Sequence, residues 1–208
     1  MRPLILILSL SLLTFSGFAQ QQNPSNKKLG ITFTAVGDND VSTSNALDGA
    51  GSTYGEGFFS IGLSYQQNLS KNWLKFKTGL EYSHQKIRTE SAPYSPEIEK
   101  TITHSNFSLI TIPVTLKARF LKFLFLEGGG IVDVYTGPDA RIDSQAGLGV
   151  ELGYGIQYEM NSGWMLTITH YARMHALLSF MGEDQHLWEN GLRFGVHMPF
   201  SVISRKEK

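Results

Sequence analysis

Along residues 146–158 apolar and small or polar side chains alternate without a slip, setting Ala146, Leu148, Val150, Leu152, Tyr154, Ile156 and Tyr158 against Gly147, Gly149, Glu151, Gly153, Gly155 and Gln157. A period of two is the mark of a strand with two unlike faces. The pattern recurs near 28–36, 58–67, 73–83, 107–120, 123–135, 145–159, 164–176 and 187–200, which predicts eight strands. The connections differ in length: 37–57 and 84–106 are long, 136–144 and 177–186 middling, and 68–72, 121–122 and 160–163 short. Four longer loops opposite three tight turns is the asymmetry of an even-stranded bacterial outer-membrane barrel with both termini on the periplasmic side. The predicted fold class is all-β, an eight-stranded antiparallel up-and-down transmembrane β-barrel over residues 28–200.

Alternation by itself fits a soluble barrel or sandwich equally well, because a lipocalin turns its apolar face inward. Two features of the polar faces favour the inside-out arrangement. Glycine recurs there, at Gly30, Gly62, Gly79, Gly147, Gly149, Gly153, Gly155 and Gly195. It weakens a strand, yet it suits a narrow eight-stranded interior that side chains alone can fill. Six cations, Lys75, Lys77, Lys117, Arg119, Arg173 and Arg193, share inward parity with six anions, Glu81, Glu127, Asp133, Glu151, Glu159 and Glu189. Such a balanced set can neutralise itself inside a closed lumen, where an unpaired charge is costly. Lys117, Arg119 and Glu127 lie across one tight hairpin and are the expected contact.

Aromatic residues give the remaining signal. Trp73, Phe120, Phe123, Tyr158, Trp164 and Phe200 collect beside the short turns, where a girdle would sit at the headgroup level. Trp73 and Phe123 fall on inward parity in this reading. Phe59, Tyr82, Phe107 and Trp188 are the candidates for the opposite rim.

The N-terminal segment predicts the compartment. Arg2, an apolar run from Leu4 to Phe15, and small residues at Gly17 and Ala19 read as a signal peptide over 1–19. Residues 20–27 would form a periplasmic N-terminal segment, and 201–208 a polar periplasmic tail. The expected localisation is the bacterial outer membrane, with both termini in the periplasm. No cysteine is present, which excludes disulfides and thiolate metal sites and argues against a lipid-anchored N-terminus. With 18 basic and 18 acidic residues there is no positive excess to suggest nucleic acid. Acidic residues such as Asp38, Asp40, Asp48, Glu56, Asp139, Asp143, Glu183 and Asp184 gather in the long connections. Basic ones such as Lys27, Lys28, Lys71, Lys122, Arg205, Lys206 and Lys208 gather at the other end, and both sets read as solvated surface.

The run Ile112-Pro113-Val114-Thr115-Leu116-Lys117, followed by Phe123 to Gly130 with Glu127 before three glycines, resembles the PorT-like outer-membrane β-barrel family. There an Ile-Pro pair opens an apolar strand that ends in a basic residue. The resemblance implies a role in secretion or surface assembly. Arg193, Gly195, Met198 and Phe200 resemble the signal by which barrel-insertion machinery recognises a last strand, although Pro199 and an eight-residue extension depart from it. The partners implied are outer-membrane lipid and lipopolysaccharide, the insertion machinery, and other envelope or secretion proteins.

Chemistry beyond this is thin. His104 with Ser105, and His170 or His175 with Ser179, are the only hydrolase-like groupings, and His170 and His175 have opposite parity. Asp38, Asn39 and Asp40 offer oxygen ligands without the rest of a calcium loop. His84 and His104 flank one loop and could approach each other. The expectation is no catalytic, metal or cofactor site, and a filled lumen in place of a diffusion pore. A small-solute channel or ligand-binding barrel is the alternative, with a lipid-modifying enzyme behind it.

Overall fold

The computed structural model describes residues 26–43, 51–69, 73–91, 101–136, 142–181 and 185–200. The expected signal peptide and the 201–208 tail lie outside them, as do Asp48, Lys71, Asp139, Glu183 and Asp184. The strands are β1 Lys27–Thr43, β2 Ser52–Asn68, β3 Leu74–Glu90, β4 Ile102–Arg119, β5 Leu124–Thr136, β6 Gly147–Glu159, β7 Met165–Ser179 and β8 Gln185–Pro199. They form one closed antiparallel barrel in sequence order, β8 pairing with β1.

Exposure decides which face is which. Leu152 is 68% exposed and Leu63 64%, whereas Glu151 is 0% and Arg173 1%. The apolar face is outside. On β4 the outward run Ile110, Ile112, Val114, Leu116 and Ala118 spans nine residues, about 22 Å at ordinary strand rise and tilt. That matches the ~25 Å apolar band of membrane barrels. Above this band β3 and β4 continue with His84, Lys86, Arg88, Ser108, Asn106 and His104 facing outward.

The first four strands are therefore longer than the alternation suggested, by seven residues at the end of β1 and seven at the end of β3. Beyond the band the outward face turns polar while the inward face mixes polar residues such as Gln85 with apolar ones such as Ile87 and Phe107, so the apolar-out alternation is lost while the ladder continues. The aromatic placement also differs in part. Trp73 (46% exposed) and Phe123 (56%) lie in the turns, where strand parity does not apply, and both face out with Phe120 and Tyr158. Phe107 is buried inside, sharing the inward face of Leu109 and Thr111 and leaving Phe59, Tyr82 and Trp188 at the far rim. Ile112 and Pro113 do not open a strand. They lie in the middle of β4, and the β3–β4 pairing is interrupted opposite them, at Gly79 and Leu80, where Pro113 has no N–H to give.

One seam of the wall is not zipped by backbone. β1 and β2 pair only from Lys27 opposite Gln67 to Thr34 opposite Ser60, although both strands run on. Past that point β1 stays paired with β8, and β2 with β3 across a bulge between Gly55 and Phe58. Asn39 fills the break. Its side chain accepts from Gly57 N at 2.7 Å and donates to Gln85 Oε1 at 2.9 Å and to Lys86 O at 3.2 Å. Gly57 has a φ of 92°, which an L side chain rarely adopts.

Candidate functional site

The inward residues sort into three levels along the lumen. At mid-height Arg173 on β7 reaches across to β3, giving Nη1 to Glu81 Oε1 at 2.6 Å and Nη2 to Glu81 Oε2 at 3.0 Å. Its Nε donates to Glu151 on β6 at 2.5 Å. Arg193 on β8 holds the same Glu151 through two bonds, 2.9 and 3.0 Å long, and lies 3.5 Å from Glu127. Tyr171 is stacked on by both guanidinium groups, at 4.0 Å from Arg193 and 4.9 Å from Arg173. Forked arginines fit this role because one planar cation can bind two carboxylates.

Toward the loop end the level is acidic and then apolar. His175 Nδ1 is 2.9 Å from Asp133, which also accepts from Thr111 at 2.7 Å, and His175 Nε2 is 3.4 Å from Glu189. Gln85 donates to the same Glu189. Above them Ile87, Phe107, Leu109, Leu187 and Ile142 form a packed apolar cluster with Val41 and Tyr135 at its edge. Ile142 comes from the described end of the β5–β6 connection, residues 142–146, which is tied to β8. Gln145 donates to Gln185 O at 3.0 Å and accepts from Leu187 N at 2.7 Å, while Asp143 N donates to Gln185 Oε1 at 3.0 Å.

Toward the turn end the lumen is basic. Lys28 pairs with Glu159 at 2.8 Å and also donates to Gly163 O; Lys77 pairs with Glu127 at 2.7 Å. Lys75 points its ammonium at the Met165 sulfur, 3.9 Å away, and Lys117 sets its own 3.5 Å above the Phe125 ring. His197 makes contacts of 3.2 to 3.3 Å to Ser64, Gln66 and Thr167.

Of the twelve charges assigned to the lumen from sequence, Lys75, Lys77, Glu81, Lys117, Glu127, Asp133, Glu151, Arg173, Glu189 and Arg193 are buried. Arg119 is half-buried at the turn end, and Glu159 is exposed there. The expected Lys117–Arg119–Glu127 contact is replaced. Glu127 faces Lys117 in the register but is engaged by Lys77 and Arg193, because in so narrow a lumen side chains from non-adjacent strands compete with the hairpin neighbour. Lys28 was assigned to solvated surface and instead lies inside. Its parity with Gly30, Thr32 and Thr34 carried that information. His175 and His197, buried on inward parity with Arg173 and Arg193, were likewise not counted among the lumen groups.

The last-strand residues divide between two tasks. Arg193 and Gly195 face the lumen, where a Cβ on Gly195 would lie 2.5 Å from Thr167 Oγ1. Met198 and Phe200 face out, with Phe200 39% exposed.

The weaker chemical candidates do not converge. His104 is an exposed partner of Glu56, at 2.8 Å, while His84 meets Ser108 four residues further down the ladder. His170 faces outward against Tyr154, with ring centroids 5.3 Å apart, and His175 faces inward. Asp38 and Asp40 are exposed, whereas Asn39 is buried with its amide committed to Gly57, Gln85 and Lys86. Among the described residues no group of three or more His, Asp or Glu side chains is arranged to hold a metal.

Closed, antiparallel, apolar outside and ionic within, the chain has the fold of the small eight-stranded outer-membrane β-barrels. Among solved structures it is similar to the outer membrane protein AlkL, determined in DMPC lipid bilayers (TM-score 0.51, 9% identity, covering 91% of this chain and 97% of that one). It is also similar to OprG from Pseudomonas aeruginosa (TM-score 0.47, 10% identity, 86% and 98%). Ail, the attachment invasion locus protein of Yersinia pestis, solved with the heparin analogue sucrose octasulfate, is a further neighbour (TM-score 0.43, 13% identity, 83% and 99%). No family model matches the sequence. No curated protein matches it either.

Proposed function

We propose that this is a non-enzymatic, integral outer-membrane barrel that acts through its surfaces, with both termini in the periplasm and the tall β1–β4 wall outside the cell. The observation that carries this reading is the filled lumen. The Arg173–Glu81–Glu151–Arg193 network spans its middle, and the Ile142 cluster covers one mouth. Side chains can fill an eight-stranded barrel, and those at mid-height here are cross-linked, so a diffusion path is disfavoured. The outward apolar band and the turn-end rings of Trp73, Phe120, Phe123 and Tyr158 supply the contact with lipid. A signal peptide over residues 1–19 would deliver the chain to the insertion machinery.

The PorT-like resemblance adds a role in secretion or surface assembly, through the long outer connections or the periplasmic end. Lipopolysaccharide is the neighbour expected around the outer band. Deleting the gene and comparing secreted and surface proteomes tests this role; an unchanged secretome rejects it. Planar-bilayer recordings test the filled lumen in parallel. The expected result is no steady conductance, and discrete open steps would turn the reading to a small-solute channel.

A further inference from the structure

The turn-end level of the lumen holds more positive charge than it neutralises. Lys28 and Lys77 are matched by Glu159 and Glu127. Lys75 and Lys117 are not: among the described residues neither ammonium forms an ion pair, and they settle on a thioether and an aromatic ring. They are also direct cross-strand neighbours, and both are buried, at 4% and 1% exposure. Like charges opposite each other repel, and buried cations with no carboxylate in direct contact are penalised.

A second observation concerns neutral groups at the same level. Gln157 is 3% exposed, and neither atom of its amide has a hydrogen-bond partner. The hydroxyl of Thr115, beside Lys77 in the register, is also unpartnered. Buried polar groups left unpaired are costly. Gln157 belongs to the same level as the lysines: Lys117 covers Phe125, the Phe125 ring lies against Gly155, and Gln157 is the next inward residue on β6.

We infer that the turn end of the lumen is a binding site for a small phosphate-class oxyanion, held by Lys75 and Lys117 with Gln157 and Thr115. The two ammonium groups supply the charge. The amide N–H and the Thr115 hydroxyl donate to its oxygens, and a protonated phosphate offers an O–H to Gln157 Oε1 that chloride lacks. The site makes direct use of the asymmetry of the lumen, whose opposite end is acidic and then apolar.

The test uses the full chain refolded in detergent, with its thermal unfolding followed while inorganic phosphate replaces gluconate at constant ionic strength. Binding to the folded state alone raises the midpoint with ligand concentration. The expected result is a saturable rise for phosphate and none for chloride. In Lys75→Met/Lys117→Met the apparent affinity should fall about tenfold or more, and in Gln157→Leu, which keeps every charge, it should weaken as well. Lys122→Met, an exposed turn residue, should leave the response intact. Glycerol phosphate distinguishes sources: an equal response points to a phosphoryl headgroup or ester, and a response to inorganic phosphate alone points to the free ion. No rise with phosphate, an equal rise with chloride, or a rise unchanged in both lysine and glutamine variants would overturn the proposal. If the double lysine variant does not fold, Gln157→Leu and broadening of the phosphate 31P resonance by the unmodified protein decide it. The assay reads the isolated barrel, so a failed secretion role leaves it untouched.

Discussion

Arg173 and Glu81 meet as a two-pronged fork across the lumen, at 2.6 and 3.0 Å, from strands β7 and β3 that do not touch in the sheet. The pair therefore braces the barrel along a chord that backbone hydrogen bonds cannot supply. Removing one member leaves the other buried and charged. Glu81→Leu should lower unfolding stability by about 3–5 kcal/mol, and Glu81→Leu/Arg173→Met should recover part of that loss. Urea titration of the refolded barrel in lipid vesicles checks both, and a double variant no better than the single would show that the fork is not the partner that matters.

Asn39 makes a second, local prediction. It supplies hydrogen bonds to Gly57 and Lys86 where β1 and β2 have stopped pairing, so it stands in for the missing ladder at that seam. Asn39→Ala should cost about 1–3 kcal/mol, with the effect concentrated at one place. Hydrogen exchange should accelerate at Gly57 and its β2 neighbours while the β4–β5 ladder stays protected. Uniform acceleration would mean that the seam has no independent weakness.

These two features mark how far the sequence could be read. Alternation marks the eight strands and the inward parity of ten of the twelve assigned charges, since parity is a local property that each segment carries on its own. Partners could not be read the same way. Whether Glu127 meets Lys117 or Lys77 depends on how the sheet closes, and closure brings β3, β6, β7 and β8 side chains into one small space. The ends of β1 and β3 do not stand out for a related reason: above the apolar band the outward face is polar and the inward face mixes Asn39 and Gln85 with Val41 and Ile87, so the apolar-out alternation no longer marks the strand. Asn39 looked like one of three oxygen ligands because strand alternation was not extended to it.

Glycines give a contrast within one residue type. At Gly55 an added Cβ would stand 1.6 Å from the Asn39 carbonyl oxygen, a backbone atom that cannot step aside. At Gly130, on the outward face, the nearest atom to a Cβ is 3.8 Å away. Gly55→Ala should sharply reduce the fraction that refolds to a heat-modifiable band on cold gels, while Gly130→Ala should migrate like the unmodified chain and gain slightly in stability from a less flexible unfolded state. Equal behaviour of the two would argue against the close β1–β2 approach.

The tryptophans can locate the membrane directly. Trp73 and Trp164 sit by the short turns, and Trp188 faces out near the opposite rim, opposite Asp40 in the β1–β8 register. If the apolar band is the bilayer contact, single-tryptophan forms in lipids brominated at successive acyl positions should show Trp73 and Trp164 quenched most by bromines nearest the headgroups. Trp188 should be quenched weakly, because beside Asp40 and Asn190 it lies above Leu192, the last outward-facing aliphatic residue of β8. Aqueous quencher trapped on one side should then reach Trp188 from the face opposite to Trp73. Strong acyl-chain quenching of Trp188 would lift the band toward the loop end and shorten the wall left free for partners.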